Sequence, residues 1–447
     1  CMSCPDKYKQ LGTFYRYYTG EKRAPIPTIF VGGNHEASNY LRELFYGGWV
    51  APNIYYMGTS NVIWYGPLRI GGISGIFKTH DYLSGFWERP PFRKKANTSM
   101  YHVREFDVEK AKRICGGVDI FVSHDWPEGI ERHGDIEQLL RAKPFFRKEV
   151  EQGRLGSDAN RAVLEKVRPR WWFSAHLHVR FGATLDWASN GSGEYYGPPS
   201  GLPSSTGLVE GGSTGDTAAG PSINQDEIVL SDLDDDDSGS GPTSACDNKG
   251  ESGLRANKRP KLEEDDGQSD AAGAFAVHLP PPANLYHGST TTQFLALDKC
   301  LGRRQYLEII EIEVPDDGQQ QAQPMEYEFY YDPQWLAITK CVHPYMSTTR
   351  SPARIPSSTI DNDELSKARA WVDKHIKDFR IPHNFQPTAP AAAPPYARPD
   401  ARLPRPDRFG NYGSNQRGEK YLYKNPQTMQ YCQMLGITDE FTNDDCL

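Results

Sequence analysis

The stretch Val31-Gly32-Gly33-Asn34-His35-Glu36, VGGNHE, directly follows the apolar run PTIF at residues 27–30. The apolar run predicts a short buried strand, and the two glycines supply the turn that ends it. A strand usually gives way to turn residues alone, but this one also presents an amide, an imidazole and a carboxylate. Such groups bind metals, so the stretch predicts a strand that ends at a functional site.

Length and composition exclude few classes of protein. The 447 residues suffice for one large domain or two ordinary ones, and a net charge of −8 does not by itself indicate nucleic-acid binding. An acidic protein can still carry a local basic groove. Eight scattered cysteines favour a reducing compartment, and Cys1-x-x-Cys4 is a single pair that does not predict a zinc knuckle. No apolar run approaches ~18 residues, so we expect no membrane partner.

Apolar runs alternate with helical patterns over residues 21–190, which predicts an α/β fold. The strand-like runs are residues 27–31, 68–73, 118–123 and 170–175. Residues 135–153 and 158–168 have helical periodicity. Strands that are apolar on both faces and separated by helices predict a sheet covered on both sides.

Composition changes at residue 189. Residues 189–286 are rich in Gly, Ser, Asp and Pro and hold few large apolar side chains, so we predict a disordered insertion. Order is expected to resume after it, with a proline- and alanine-rich linker at 383–407. Strand-like runs lie at 291–300 and 306–314, and a mixed segment follows at 326–340. A helix is predicted at 362–376, with Asn362 or Asp363 as its cap, and a tail motif lies at 425–437.

Histidines follow three of the predicted strands. His35 follows the first, His124 and Asp125 follow residues 118–123, and His176 and His178 follow residues 170–175. The carboxyl ends of strands in an α/β sheet meet at one crevice, and residues two apart in extended chain point the same way. A histidine after a strand is often only structural, but three such sites together predict a divalent transition metal.

These motifs resemble those of a known superfamily. GGNHE, SHD and SAHLH are similar to the later motifs of the calcineurin-like metallophosphoesterases. Longer stretches resemble the lariat debranching enzymes within that superfamily, over roughly residues 10–185 and 290–345 and the terminal motif. They are FYRYYTGEKRAP, GGWVAPNIYYMG, RIGGISGIFKTHDY, SHDWP, WWFSAHLHV, TTQFLALDKCLGRR and NPQTMQYCQMLGI.

The resemblance implies an α/β fold, the four-layer metallophosphoesterase sandwich of β-sheets flanked by helices, with a C-terminal α/β extension. Its implied parts are a catalytic domain at 1–188, the insertion at 189–286, returning strands at 287–345 and a C-terminal region at 346–447. The family's [DC]-x-H and Gly-Asp motifs are absent and are expected upstream of Cys1. We therefore expect an N-terminally truncated chain with half a metal cage, which could be inactive alone.

The resemblance also implies roles for individual residues. Asn34, His124, His176 and His178 match the metal ligands, for one or two ions of Fe²⁺, Zn²⁺ or Mn²⁺. His35 matches a histidine that protonates or stabilises the leaving oxygen. Glu36 is expected to hold its loop or His35. Two interpretations of Asp125 remain open, an outer residue that orients a ligand histidine and a helix cap.

Residues 75–104 form a long connection that mixes cations with aromatic side chains, and we call it the recognition loop. Cations for phosphates beside aromatics for unstacked bases suit single-stranded or branched RNA. Alternatively, the loop is merely solvated and its aromatics pack on the core. The predicted substrate-binding residues are Lys78, His80, Tyr82, Arg93, Lys94 and Lys95.

The implied function is hydrolysis of the 2′–5′ phosphodiester at the branch point of lariat RNA, in intron turnover and mRNA processing. The run at residues 258–261 resembles a nuclear import signal, which predicts a nuclear location, and the insertion is a candidate docking segment for splicing factors. Two alternatives remain: a phosphatase on the same fold, and a catalytically dead, truncated RNA-binding scaffold.

Overall fold

A computed structural model describes residues 2–4, 9, 11–90, 92, 94–187, 288–314, 327–353, 355, 362–389 and 422–442. The predicted disordered insertion, the basic run at 258–261 and most of the proline-rich linker lie outside these residues.

A small sheet forms first along the chain. It contains β1 (Thr28–Phe30), β2 (Gly48–Ala51) and β3 (Ile54–Tyr56), in the order β1-β3-β2. β1 is parallel to β3, and β2 is antiparallel to it. The tight turn between β2 and β3 uses Asn53 with a φ of 68°, a left-handed conformation that asparagine tolerates. This sheet carries the VGGNHE loop at the end of β1.

A seven-stranded sheet carries the other two histidine loops. Its order is β10-β4-β5-β6-β7-β9-β8, and β5, β6, β7 and β9 run parallel to one another. The histidine loops therefore leave the same edge of the sheet. The strands are β4 (Ser60–Tyr65), β5 (Leu68–Ile73), β6 (Ile120–Ser123), β7 (Trp171–Ser174), β8 (Phe181–Asp186), β9 (Thr291–Ala296) and β10 (Phe329–Tyr331).

Eleven α-helices lie among the described residues. They are α1 (Tyr15–Tyr18), α2 (Ser38–Arg42), α3 (Thr79–Tyr82), α4 (Lys94–Ser99), α5 (Glu105–Ala111), α6 (Ile136–Ala142), α7 (Arg147–Gln152), α8 (Asp158–Val167), α9 (Pro333–Val342), α10 (Asn362–His375) and α11 (Pro426–Leu435). The Ser157 hydroxyl caps α8 by accepting the N–H of Asn160. None of these helices is long and apolar enough to cross a membrane.

The two sheets face each other across a shared core. Trp49 and Tyr55 of the small sheet pack there with Ile63 and Ile70 of the large one. The larger core lies where α5, α8 and α9 cover the seven-stranded sheet, and α1 and α11 contact β2 of the small sheet. β-Sheets flanked by helices are the arrangement that the resemblance implied, so the predicted fold class is confirmed.

Three local predictions are wrong. Periodicity placed β1 in the same covered sheet as β6 and β7, but β1 lies in the other of two sheets, in keeping with the sandwich of β-sheets that the resemblance implied. The helix predicted over 135–153 breaks at Pro144, which cannot donate a helical hydrogen bond. Residues 306–314 form neither helix nor strand.

Side-chain alternation suggested a strand at residues 306–314, but a strand also needs a partner for its backbone. Leu307 and Ile309 are 77% and 96% exposed. The segment is attached through Glu308, which pairs with Arg180, and through the Glu313 carbonyl, which accepts from Arg170.

Candidate metal centre

The VGGNHE loop is fastened to the connection after β5. The Gly32 carbonyl accepts the N–H of Gly75 at 2.8 Å, and the Gly32 N–H donates to Ser74 Oγ at 3.0 Å. A Cβ atom placed on Gly33 would lie 2.6 Å from Cε1 of His124, far inside ordinary contact distance. Glycine is therefore required at residue 33 because the loop passes directly over the His124 ring.

His124 brings two of the predicted ligands together. Its Nε2 lies 3.1 Å from Oδ1 of the buried Asn34, and its ring centroid lies 4.9 Å from that of His176. Burial, and then the neighbouring His176, His178 and His35, hold the pKa of His124 well below its usual value. The imidazole is therefore neutral at pH 7, as metal binding requires.

His176 and His178 are not in extended chain, so the predicted geometry of this pair is wrong. β7 ends at Ser174, and the two histidines have left-handed φ values of 54° and 52°. Leu177 and Val179 alternate with them and are buried in the core. Burial, followed by Lys299 and His176, lowers the pKa of His178 to about 3, so this imidazole is also neutral.

His35 approaches the same centre with a defined tautomer. Its Nδ1 lies 3.1 Å from the Ser3 carbonyl, which can only accept, so Nδ1 carries a hydrogen and Nε2 is left for other partners. Burial lowers the pKa of His35, the Ser3 hydrogen bond opposes that effect, and His176 adds a further lowering. The contact with Ser3 could not be predicted from the sequence, because a backbone carbonyl is available at every residue.

The two predicted outer carboxylates both bind backbone N–H groups. Oε1 of the half-buried Glu36 accepts the Gly33 N–H at 3.3 Å, which closes the loop as expected. Asp125 accepts the N–H of Phe77 at 3.3 Å and of Trp126 at 3.0 Å. Asp125 does not cap a helix, since the helical turn that follows begins only at Ile130.

The recognition loop exposes only part of its predicted binding set. His80 and Lys95 are exposed, whereas Lys78 and Tyr82 are half-buried, and Tyr82 packs on Phe77 with ring centroids 5.2 Å apart. Arg93 and the side chain of Lys94 lie outside the residues that the structure describes. Phosphate binding by His80 and Lys95 therefore stays a prediction, and their exposure is consistent with it.

Several aromatic residues of the loop face the protein instead. Phe86 is 3% exposed and Phe92 is 9% exposed, and Phe92 packs on Leu422 near the C-terminus. The guanidinium of Arg350 lies 3.8 Å from the centroid of Trp87. The alternative in which these aromatics pack on the core is therefore correct for Phe86 and Phe92.

A second group of potential ligands lies within this loop. In the described part of the chain, His80, Asp81 and His102 form the only trio of His, Cys, Asp or Glu ligand atoms within 4.8 Å of one another. Asp81 is already engaged there, 2.7 Å from Nδ1 of His102 and 3.8 Å from the Arg104 guanidinium. We interpret Asp81, His102 and Arg104 as a buried ion-pair network with the exposed His80 at its edge, because the guanidinium competes with a cation for the Asp81 carboxylate.

The donors around His124 fit a divalent metal better. They offer neutral imidazoles and an amide oxygen, and the 3.1 Å between His124 and Asn34 is close to the roughly 3.3 Å expected between two tetrahedral ligands. His124, His176 and His178 are not themselves a trio within 4.8 Å. Ligands that are divided between two ions about 3.5–4 Å apart need not all lie within 4.8 Å of one another.

Comparisons with known proteins follow the same division of the chain. A calcineurin-like phosphoesterase family model matches residues 6–180, and a model of the lariat debranching enzyme C-terminal domain matches residues 289–440. The chain is 40% identical to the lariat debranching enzyme of Schizosaccharomyces pombe, 32% identical to that of Arabidopsis thaliana and 35% identical to that of Homo sapiens. Each alignment covers 98% of this chain. These alignments span 87%, 74% and 60% of the respective relatives.

Proposed function

The chain belongs to the lariat debranching enzyme family, which makes it a phosphoesterase of branched RNA, and we propose that it cleaves the 2′–5′ phosphodiester at the branch point of excised intron lariats. The observation that supports this most is the convergence of Asn34, His124 and His176 beside His35. The proposed role is intron turnover within mRNA processing.

Calcineurin-like phosphoesterases use divalent metal ions, and the site residues of this chain have the matching chemistry. We propose Asn34, His124, His176 and His178 as ligands of one or two ions. Fe²⁺, Zn²⁺ and Mn²⁺ all accept this donor set. A bound ion would supply a Lewis acid for the phosphate and lower the pKa of water.

His35 is the proposed proton donor. Since Nδ1 donates to the Ser3 carbonyl and burial lowers the pKa of the free ring, Nε2 must first take up a proton, which the negative charge of a bound phosphate favours; Nε2 then transfers that proton to the leaving 2′ oxygen. Glu36 and the Gly32 contacts hold this loop, so the ring is oriented before substrate arrives. That arrangement supports general-acid catalysis by His35.

Substrate binding is proposed for the recognition loop through Lys78, His80, Tyr82, Arg93, Lys94 and Lys95. The exposure of His80 and Lys95 supports phosphate contacts. With Phe86 and Phe92 buried, base stacking depends on fewer rings than the sequence suggested. Nuclear residence through residues 258–261 and docking of splicing factors to the insertion are proposals from sequence alone.

Competition between substrates tests the proposed function. The full chain is incubated with Mn²⁺ and either a 2′–5′ branched RNA or an aryl phosphate, with His124→Ala as the control for contaminating activity. We expect a higher kcat/KM for branched RNA and loss of turnover in the variant. Preference for the aryl phosphate would favour a phosphatase, and tight RNA binding without hydrolysis would favour the scaffold.

A further inference from the structure

The two left-handed histidines need an explanation beyond their own sequence. L-residues rarely adopt a positive φ, and such conformations persist only when the surrounding structure enforces them. His176 and His178 are two of the five non-glycine residues with positive φ in the described chain. Hydrogen bonds and packing around the two histidine loops must supply that restraint.

Part of the restraint is in the loop backbone. The Ala175 N–H donates to the His124 carbonyl at 3.0 Å, and the Ala175 carbonyl accepts the indole N–H of the fully buried Trp126 at 2.8 Å. The His124 loop and the His176 loop are therefore tied together directly, through the backbone of His124 itself and of Ala175, the residue before His176.

A buried hydroxyl network lies beneath this tie. Ser123 immediately precedes His124, and Ser174 ends the strand before the His176 loop. Their Oγ atoms are 2.9 Å apart, and the indole N–H of Trp172 lies 2.9 Å from Ser123 Oγ and 3.2 Å from Ser174 Oγ. The Asp125 carbonyl accepts from Ser123 Oγ at 2.7 Å and from Asn160 Nδ2 at 2.9 Å. We call Ser123, Ser174, Asn160 and Trp172 the serine network.

One set of hydrogens satisfies all of the shorter distances and leaves only the 3.3 Å contact from Ser174 Oγ to the Asp125 carbonyl without a hydrogen. Trp172 donates to the hydroxyls, Ser174 donates to Ser123, and Ser123 uses its single hydrogen for the Asp125 carbonyl at the shortest distance. Asn160 supplies the second donor to that carbonyl. Each member is at least nine-tenths buried, so water cannot replace a missing hydrogen bond without a local rearrangement.

We propose that Ser123, Ser174 and Asn160 are positioning residues that set the separation of His124 and His176 and thereby the metal affinity of the site. This rests on the proposed function for the presence of the ions. Asn160 lies on α8 and contacts the site through the Asp125 carbonyl, to which its NH₂ group donates, and among the described residues its amide oxygen has no hydrogen-bond partner.

The chain offers a matched control at the opposite end of the same sheet, on the neighbouring strand β9. Thr292 Oγ1 also accepts an indole N–H, from Trp187 at 2.9 Å, and donates to a backbone carbonyl, that of Pro169. Thr292 is fully buried near the start of β9 and β7, whereas the histidines follow the end of β7. Loss of this hydroxyl removes the same chemistry from the fold without touching the metal loops.

The test measures Co²⁺ binding by the full chain through visible absorption, which reports both affinity and coordination geometry. Ser123→Ala and Asn160→Ala should each weaken Co²⁺ binding about tenfold and change the spectrum, whereas Thr292→Val should keep the wild-type affinity and spectrum. Thermal unfolding without metal checks that all three variants are folded. If Ser123→Ala is not folded, the Co²⁺ affinity of Asn160→Ala decides the result.

The inference is overturned if the serine-network variants bind Co²⁺ as wild type does, or if Thr292→Val loses as much affinity as they do. In both cases wild-type binding stays intact and the proposed function survives. Wild-type protein that binds no Co²⁺ would overturn the inference and the proposed metal site together.

Discussion

Replacing Gly33 by alanine should displace the His124 ring. The new Cβ would lie 2.6 Å from Cε1, 2.8 Å from Nδ1 and 2.9 Å from Nε2, whereas ordinary contact begins at 3.4 Å. The ring must therefore move by about 0.8 Å, which separates its Nε2 from Asn34. The φ of Gly33 is not in the left-handed region, so alanine is otherwise compatible with the backbone.

The displacement sets the expected size of the effect. Misplacing a reacting group by about 1 Å can cost on the order of 10²-fold in rate, which corresponds to about 2.7 kcal/mol. We expect Gly33→Ala to lower kcat/KM for branched RNA by about that factor. Metal affinity should also fall at least about tenfold when measured by titration with Mn²⁺ or Zn²⁺.

Gly32→Ala is the matched control. The nearest atom to its Cβ would be the flexible Leu41 Cδ1 at 2.9 Å, and the next atoms lie at 3.5 Å. This variant should bind metal close to the wild-type level. Equal metal affinity in Gly33→Ala, Gly32→Ala and wild type would refute the reasoning that the loop passes too close to His124 for any side chain.

Three further predictions concern stability and RNA binding. The fully buried Glu131 has its pKa raised from 4.5 to about 7 by burial, so its contribution to folding is complete below pH 4.5 and is lost as pH rises through 7. Glu131→Gln should therefore increase the free energy of unfolding above pH 7. The increase is at most roughly 3 kcal/mol, at 1.36 kcal/mol per pKa unit. Urea titrations of wild type and variant at pH 5 and pH 8 test this, and the gain should be seen at pH 8. Glu88 pairs with the buried guanidinium groups of Arg42 at 3.0 Å and Arg104 at 2.5 Å. Glu88→Gln removes that negative charge and should lower the free energy of unfolding by about 3 kcal/mol in the same assay. A loss below about 1 kcal/mol would contradict this. Lys95→Ala, at an exposed position, should leave the melting temperature unchanged and weaken branched-RNA binding, with a smaller salt dependence than wild type in a binding titration.

The sequence identified the three loops that meet at the site because each combines a local strand pattern with potential ligands. Asn34, His124 and His176 do converge, although they leave two different sheets. Whether two strands share a sheet depends on contacts between distant segments, and the local pattern does not encode it. The same reason explains the wrong strand at 306–314, where alternation is present but the backbone has no strand partner in the described chain.

The left-handed histidines could not be predicted from their spacing. Side chains two residues apart in an extended chain point the same way. His176 and His178 instead occupy a backbone region that L-residues seldom adopt. Their conformation depends on Leu177 and Val179 being buried and on Ser123 and Ser174 lying beneath the loops. A serine is common in any strand, so only the folded structure distinguishes these two as part of the site.

Anomalous diffraction from crystals of the full chain soaked in Mn²⁺ tests the central claim most directly. We expect a peak in contact with Asn34 and His124, with His176 or His178 completing the coordination. A peak confined to His80, Asp81 and His102, with none beside His124, would contradict it.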